Sequence, residues 1–191
     1  MLSIGGGGLA LVAAGAVFAV GFCLALAGPT AQKETAAIEG QVQAYFNLQL
    51  QITVIPSGAQ PGKLTPADKT ELQQRIVTEL PKVATGRLLL TQTQWVYDYY
   101  AGLAQFETAI VVVGGAVDSI SFDSAPIISG GTATISGSYA YHSDSYHLQD
   151  GKRTSDSFSA TSSFTAQLAR QGEVWLVSSI STTDLSKEPL P

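Results

Sequence analysis

The dipeptide Asp150-Gly151, set between two segments of alternating polarity, constrains this chain more than any other feature. A two-residue type I′ turn needs positive φ at both central positions, which Asp-Gly tolerates, so the pair predicts a hairpin. Taken as the loop, it places Ala133 opposite Leu168, Ile135 opposite Ala166, Gly137 opposite Phe164, Tyr139 opposite Ser162 and Tyr141 opposite Ala160. The other face then pairs Thr134 with Gln167, Ser136 with Thr165, Ser138 with Ser163 and His142 with Ser159. The first set is mostly apolar and the second polar, and a slip of one residue would set each apolar run against a polar one. A second turn at Gln171-Gly172 puts Trp175 beside Leu168 and Val177 beside Ala166. Gly131 to Thr183 therefore reads as three antiparallel strands. Trp175 and Phe164 are expected under helices or around a pocket, and Thr134, Thr165 and Gln167 toward water or a partner.

The other end of the chain is apolar. No charged side chain occurs from Met1 to Gln32, and nearly every residue from Leu9 to Ala27 is apolar. Nineteen such residues make about 29 Å of helix, close to the roughly 30 Å of a bilayer's hydrocarbon core. The expectation is a membrane anchor over residues 1–32. A secretory signal is the competing reading, since Ala25-Leu26-Ala27 precedes Gly28 as small residues precede a cleavage site. Either reading puts the following domain, residues 33–184, outside the cytoplasm, with 185–191 as a polar tail. Cys23 is the single cysteine and lies in this stretch, so the domain itself can form no disulfide and no cysteine-based metal site.

Between the two ends the apolar period is helical. Ile38, Val42, Phe46 and Leu50 recur every four residues over 33–55, until Pro56-Ser57-Gly58 ends the pattern. A second helix opens with Thr65 as N-cap, Pro66 in the first turn and Asp68 in the capping-box place; Leu72, Ile76 and Leu80 form its stripe, and Pro81 stops or kinks it. A third spans about Thr85 to Ala104, with Leu88, Leu89, Trp95, Val96, Tyr99 and Leu103 inward. After it the period drops to two. Phe106 to Val113 suits a buried strand broken by Gly114-Gly115, and Val117 to Phe122 alternates, with Val117, Ser119 and Ser121 on one face and Asp118, Ile120 and Phe122 on the other.

Composition narrows function more by exclusion than by assignment. The charged fraction is 13% and the net charge −5, with ten scattered basic residues, which argues against nucleic acid as a partner. His142 and His147 are the only histidines; an odd separation turns them to opposite faces of a regular strand, so no metal site is assigned there. Serine is abundant but has no base in reach, and no catalytic residue or cofactor is assigned. Trp95, Asp98, Tyr99 and Tyr100, with Tyr97 beside them, could join Tyr139 and Tyr141 around a pocket holding one carboxylate, which burial would turn into a base. Core packing is the competing reading of those rings. Tyr141, His142, Tyr146, His147 and Lys152 lie on the projecting hairpin and are the candidates for contact with a partner.

The helices followed by long strands, closing in Phe164 to Ile180 with Leu168, Arg170, Gly172, Trp175 and Val177, resemble the nuclear transport factor two-like, or cystatin-like cone, superfamily, which includes SnoaL-like proteins. The likeness covers about residues 36–184. It implies an α+β fold of about three helices packed on a curved antiparallel sheet of four to six strands, following the N-terminal transmembrane helix expected over residues 1–32. In architecture the chain is similar to the membrane-anchored branch, such as Mce-associated proteins and assembly factors of conjugative secretion systems. That implies a non-enzymatic accessory subunit of an envelope complex: a single-pass protein of the cell membrane whose domain meets other subunits outside the cytoplasm. Self-association stays open, as do two other roles, a small-molecule-binding or isomerase-like cone and a secreted structural subunit.

Overall fold

The computed structural model describes residues 28–105, 110–149 and 152–190. The chain divides into two units, Met1–Ala36 and Ala37–Pro191, and the sheet and its core belong to the second. Among the described residues three helices, α1 (Pro29–Gln51), α2 (Pro66–Val83) and α3 (Gly86–Gln105), precede six strands. The strands are β1 (Ile110–Phe122), β2 (Ile127–Ser129), β3 (Thr132–Gln149), β4 (Lys152–Ser155), β5 (Phe158–Gln171) and β6 (Val174–Pro189). They form one antiparallel sheet ordered β1-β3-β5-β6, with β2 and β4 also paired to β3.

One part of the expected fold is corrected. Among the described residues no helix is long and apolar enough to cross a membrane. The helices are amphipathic: α1 sets the exposed Gln43 and Asn47 opposite its buried Ile38, Val42, Tyr45 and Phe46. The stretch that carried the transmembrane expectation, 9–27, lies outside the described residues, as does the Asp150-Gly151 turn.

The register expected around that turn holds along the whole hairpin. Ala133 faces Leu168, Gly137 faces Phe164 and His142 faces Ser159, and beyond β5 the same count continues with Tyr146 opposite Ser155 and Gln149 opposite Lys152. Burial alternates as the two faces require: Ala133, Ile135, Phe164, Ala166 and Leu168 are buried, while Thr165 and Gln167 are exposed. The second turn differs. Gln171 pairs with Val174 and Leu168 with Val177, so the loop is Gly172-Glu173, two positions from the expected register. Gly172 supplies the positive φ of 61°. A shift of two keeps every side chain on its face, and Trp175 and Val177 are buried as expected.

β1 departs from the expected alternation at two bulges. It continues through Gly114-Gly115, where a break was expected, with register shifts after Val112 and after Val117. The second shift brings Val117 to the core with Ile120 and Phe122 and leaves Asp118 exposed. β6 likewise runs on into the expected tail, pairing Ala160 with Lys187 and Phe158 with Pro189.

The helices follow their sequence signals closely. Thr65 and Asp68 form a reciprocal capping box at the start of α2, and Leu72, Ile76 and Leu80 are buried. Pro81 lies inside the helix without ending it, and α2 stops two residues later, with the Ala84 N–H bonded to Leu80 O. On α3, Val96, Tyr100 and Leu103 are buried, but Trp95, expected inward, is 50% exposed.

Candidate functional site

The sheet face toward the helices is filled with aromatic rings. Phe46 of α1 stacks on Tyr139 of β3 with 4.0 Å between centroids, and Phe164 meets Phe46 edge-on at 5.1 Å. The row continues up the strands through Tyr141, 5.1 Å from Tyr139, to Phe158, 6.0 Å from Tyr141. Lys187 Nζ lies 3.8 Å over the Phe158 ring and ends the row. Beneath it, the fully buried Ser162 donates to Asp184 Oδ1 at 2.7 Å. Burial pushes the Tyr139 phenol up to about 12, reinforced by Tyr141 and opposed by its interaction with Ser162. Burial, then the Asp184 charge, also raises Tyr141, and burial followed by Tyr139 raises Tyr45. These phenols stay neutral across the physiological range.

The tyrosines of α3 form a separate group. Trp95 stacks on Tyr99 at 6.3 Å, and Tyr99 leans on Tyr100 at 5.9 Å. Tyr100 donates to Ile52 O, and burial raises its pKa. The Tyr99 hydroxyl donates to Ile110 O at 3.3 Å and accepts from Val112 N at 3.1 Å. Asp98 is exposed and accepts from Gln94 Nε2 at 2.8 Å. Trp95, Asp98, Tyr99 and Tyr100 thus sit around α3, while Tyr139 and Tyr141 belong to the ring row on the sheet.

The hairpin residues also divide. Tyr141 joins that ring row, whereas His142 Nδ1 meets Asp118 Oδ1 at 2.7 Å on the polar face. His147 lies opposite Ile110 and Thr154, and Lys152 is exposed opposite Gln149. Tyr146 lines a cleft of about 920 Å³ bounded by the loop after α1, the first turns of α2 and the hairpin. Val54, Ile55, Pro56 and Val113 give this cleft apolar surface, and two arginines give it charge. Arg153 lies 4.5 Å over the Tyr146 ring. Arg75 donates through Nη1 to Val54 O and through Nη2 to Glu71 Oε1.

Sequence reasoning missed both arginines. Arg153 was legible: carrying the hairpin register four residues past His142 puts Ser155 opposite Tyr146 and so Arg153 diagonal to it, within reach of a long side chain. Arg75 had only its i, i+4 relation to Glu71, which marks an exposed helix pair as readily as a cleft.

No family model matches the chain, and no curated protein resembles it in sequence. Among solved structures, the chain is similar to the intermembrane space region of chloroplast protein ARC6, at 15% identity and a TM-score of 0.48, over 80% of this chain and 95% of that one. It is also similar to an Ntf2-like protein involved in plasmid conjugation, at 11% identity and a TM-score of 0.35, over 81% of this chain and 51% of that one. The second is of the superfamily that the closing hairpin resembles. At these scores neither likeness carries an argument about what this chain does.

Proposed function

We propose that this protein is a non-enzymatic accessory subunit of an envelope complex and that it works by holding another protein at the cleft beside the hairpin. The observation that carries the reading is the filled interior. Phe46, Tyr139 and Phe164 pack ring on ring between helix and sheet, where a ligand-binding or isomerase-like cone would need an open cavity. Recognition is left to the outside, and there the cleft of about 920 Å³ offers apolar and charged surface together. The uncharged stretch from Met1 to Gln32 supports a place outside the cytoplasm. The test is a photo-crosslinking residue in place of Val113, which is 47% exposed and lines the cleft, with Thr165 on the polar face as the control position. In the native cell Val113 is expected to give one adduct of defined mass. Equal labelling from both positions, or none from Val113, would remove the proposal.

A further inference from the structure

The two arginines of the cleft are held in different ways. Arg75 is fixed by a backbone carbonyl and by Glu71, which leaves three of its five N–H groups uncommitted. Arg153 Cζ lies over the Tyr146 ring, a contact with the ring face that uses none of the guanidinium N–H groups in a hydrogen bond, and among the described residues no carboxylate pairs with it. Two carboxylates also face the cleft, and both are engaged. Asp68 Oδ2 accepts from the Thr65 N–H and hydroxyl at 2.8 Å, and Glu71 accepts from Arg75. Glu71 and Arg75 neutralise each other and Asp68 is held by the first turn of α2, so the charged group of the lining without a bonded partner among the described residues is Arg153, in a cleft that also presents Val54, Ile55, Pro56 and Val113.

We infer that the cleft takes an acidic peptide segment of the partner, with a carboxylate seated on Arg153 and an adjacent apolar side chain against Val113 and Ile55. This rests on the proposed binding role and names the chemistry of its ligand. A planar guanidinium matches a carboxylate through two parallel N–H···O bonds, and stacking on Tyr146 presets the orientation of Arg153. The cleft is at the large end of the range for small-molecule sites, with room for several residues of extended chain.

The experiment measures fluorescence anisotropy of the full chain with a labelled peptide of alternating Glu and Val, its counterpart with Gln for Glu, and free glutamate as competitor. The acidic peptide is expected to bind and the Gln peptide not, with added salt weakening the complex. Arg153→Gln is expected to weaken it about tenfold, since one bidentate charged contact is lost. Lys82→Gln, a charge in the last turn of α2 that does not line the cleft, should leave affinity within twofold. Equal binding of the two peptides, or equal loss in the two variants, overturns the inference. So does glutamate competing as tightly as the peptide, which would make the ligand a small carboxylate. If the Val113 crosslink persists unchanged in Arg153→Gln, a partner docks without this contact; loss of the crosslink in the unmutated protein removes the binding role itself.

Discussion

Gly137 shows how closely β1, β3 and β5 approach one another. A Cβ at that position would collide with Ser121 O and lie 3.0 Å from the Phe164 ring. The ring fills the space that a side chain on residue 137 would occupy, and the neighbouring strand closes the remainder. Gly137→Ala is expected to cost about 2 kcal/mol through forced overpacking, read as a lower denaturant midpoint at unchanged slope. The Gly137–Phe164 pairing was visible in the sequence, because the turn at Asp150-Gly151 fixes it. The reason for glycine was not, because Ser121 comes from a strand whose register depends on two bulges. Those bulges rest on tertiary packing: the alternation of residues 117–122 alone put Val117 opposite Ile120, and the core drew both to one side.

The helices and sheet edges carry the next lesson. α2 was legible from its cap to its buried stripe because its signals are local. Thr65→Ala removes one half of the reciprocal cap and should lower stability by about 1 kcal/mol, measured by chemical denaturation. β1 is an edge strand whose outward backbone groups are met by side chains and loop. Tyr99 serves Ile110 and Val112, the Ile55 N–H donates to Val112 O, and Gln51 donates to Gly115 O. Such cover keeps an edge from pairing with another chain. Tyr99→Phe is expected to cost about 1 kcal/mol from the lost bonds. It should also raise the self-associated fraction in sedimentation at high concentration. Tyr99 was read as an inward ring of α3, and no sequence pattern could announce its hydroxyl's partners, which lie on the next element.

At the scale of the whole molecule, burial of phenols ties stability to alkaline pH. Tyr139 titrates near 10 when unfolded and near 12 when folded. Between those values the unfolded chain binds fewer protons than the folded one, so stability is complete below pH 10 and falls as pH rises toward 12. Tyr45 and Tyr100 shift in the same direction for the same first cause, burial, and steepen the loss. Unfolding midpoints flat from neutrality to pH 9 and falling beyond pH 10 are expected; a Tyr139→Phe variant should show a shallower fall. The α+β layout, the hairpin register and α2 were readable because each rests on nearby residues or a single turn. The cleft was not, since it joins a loop, a helix and a hairpin tip that only the folded chain brings together.

The β5–β6 turn sits one residue beyond where its glycine first suggested, which moves the pairing by two, and yet Trp175 and Val177 reached the core. The length of this connection is thus governed by parity. Relatives that gain or lose two residues there would keep the same inner and outer faces, whereas a single insertion would turn Trp175 into the solvent unless a compensating bulge absorbed it.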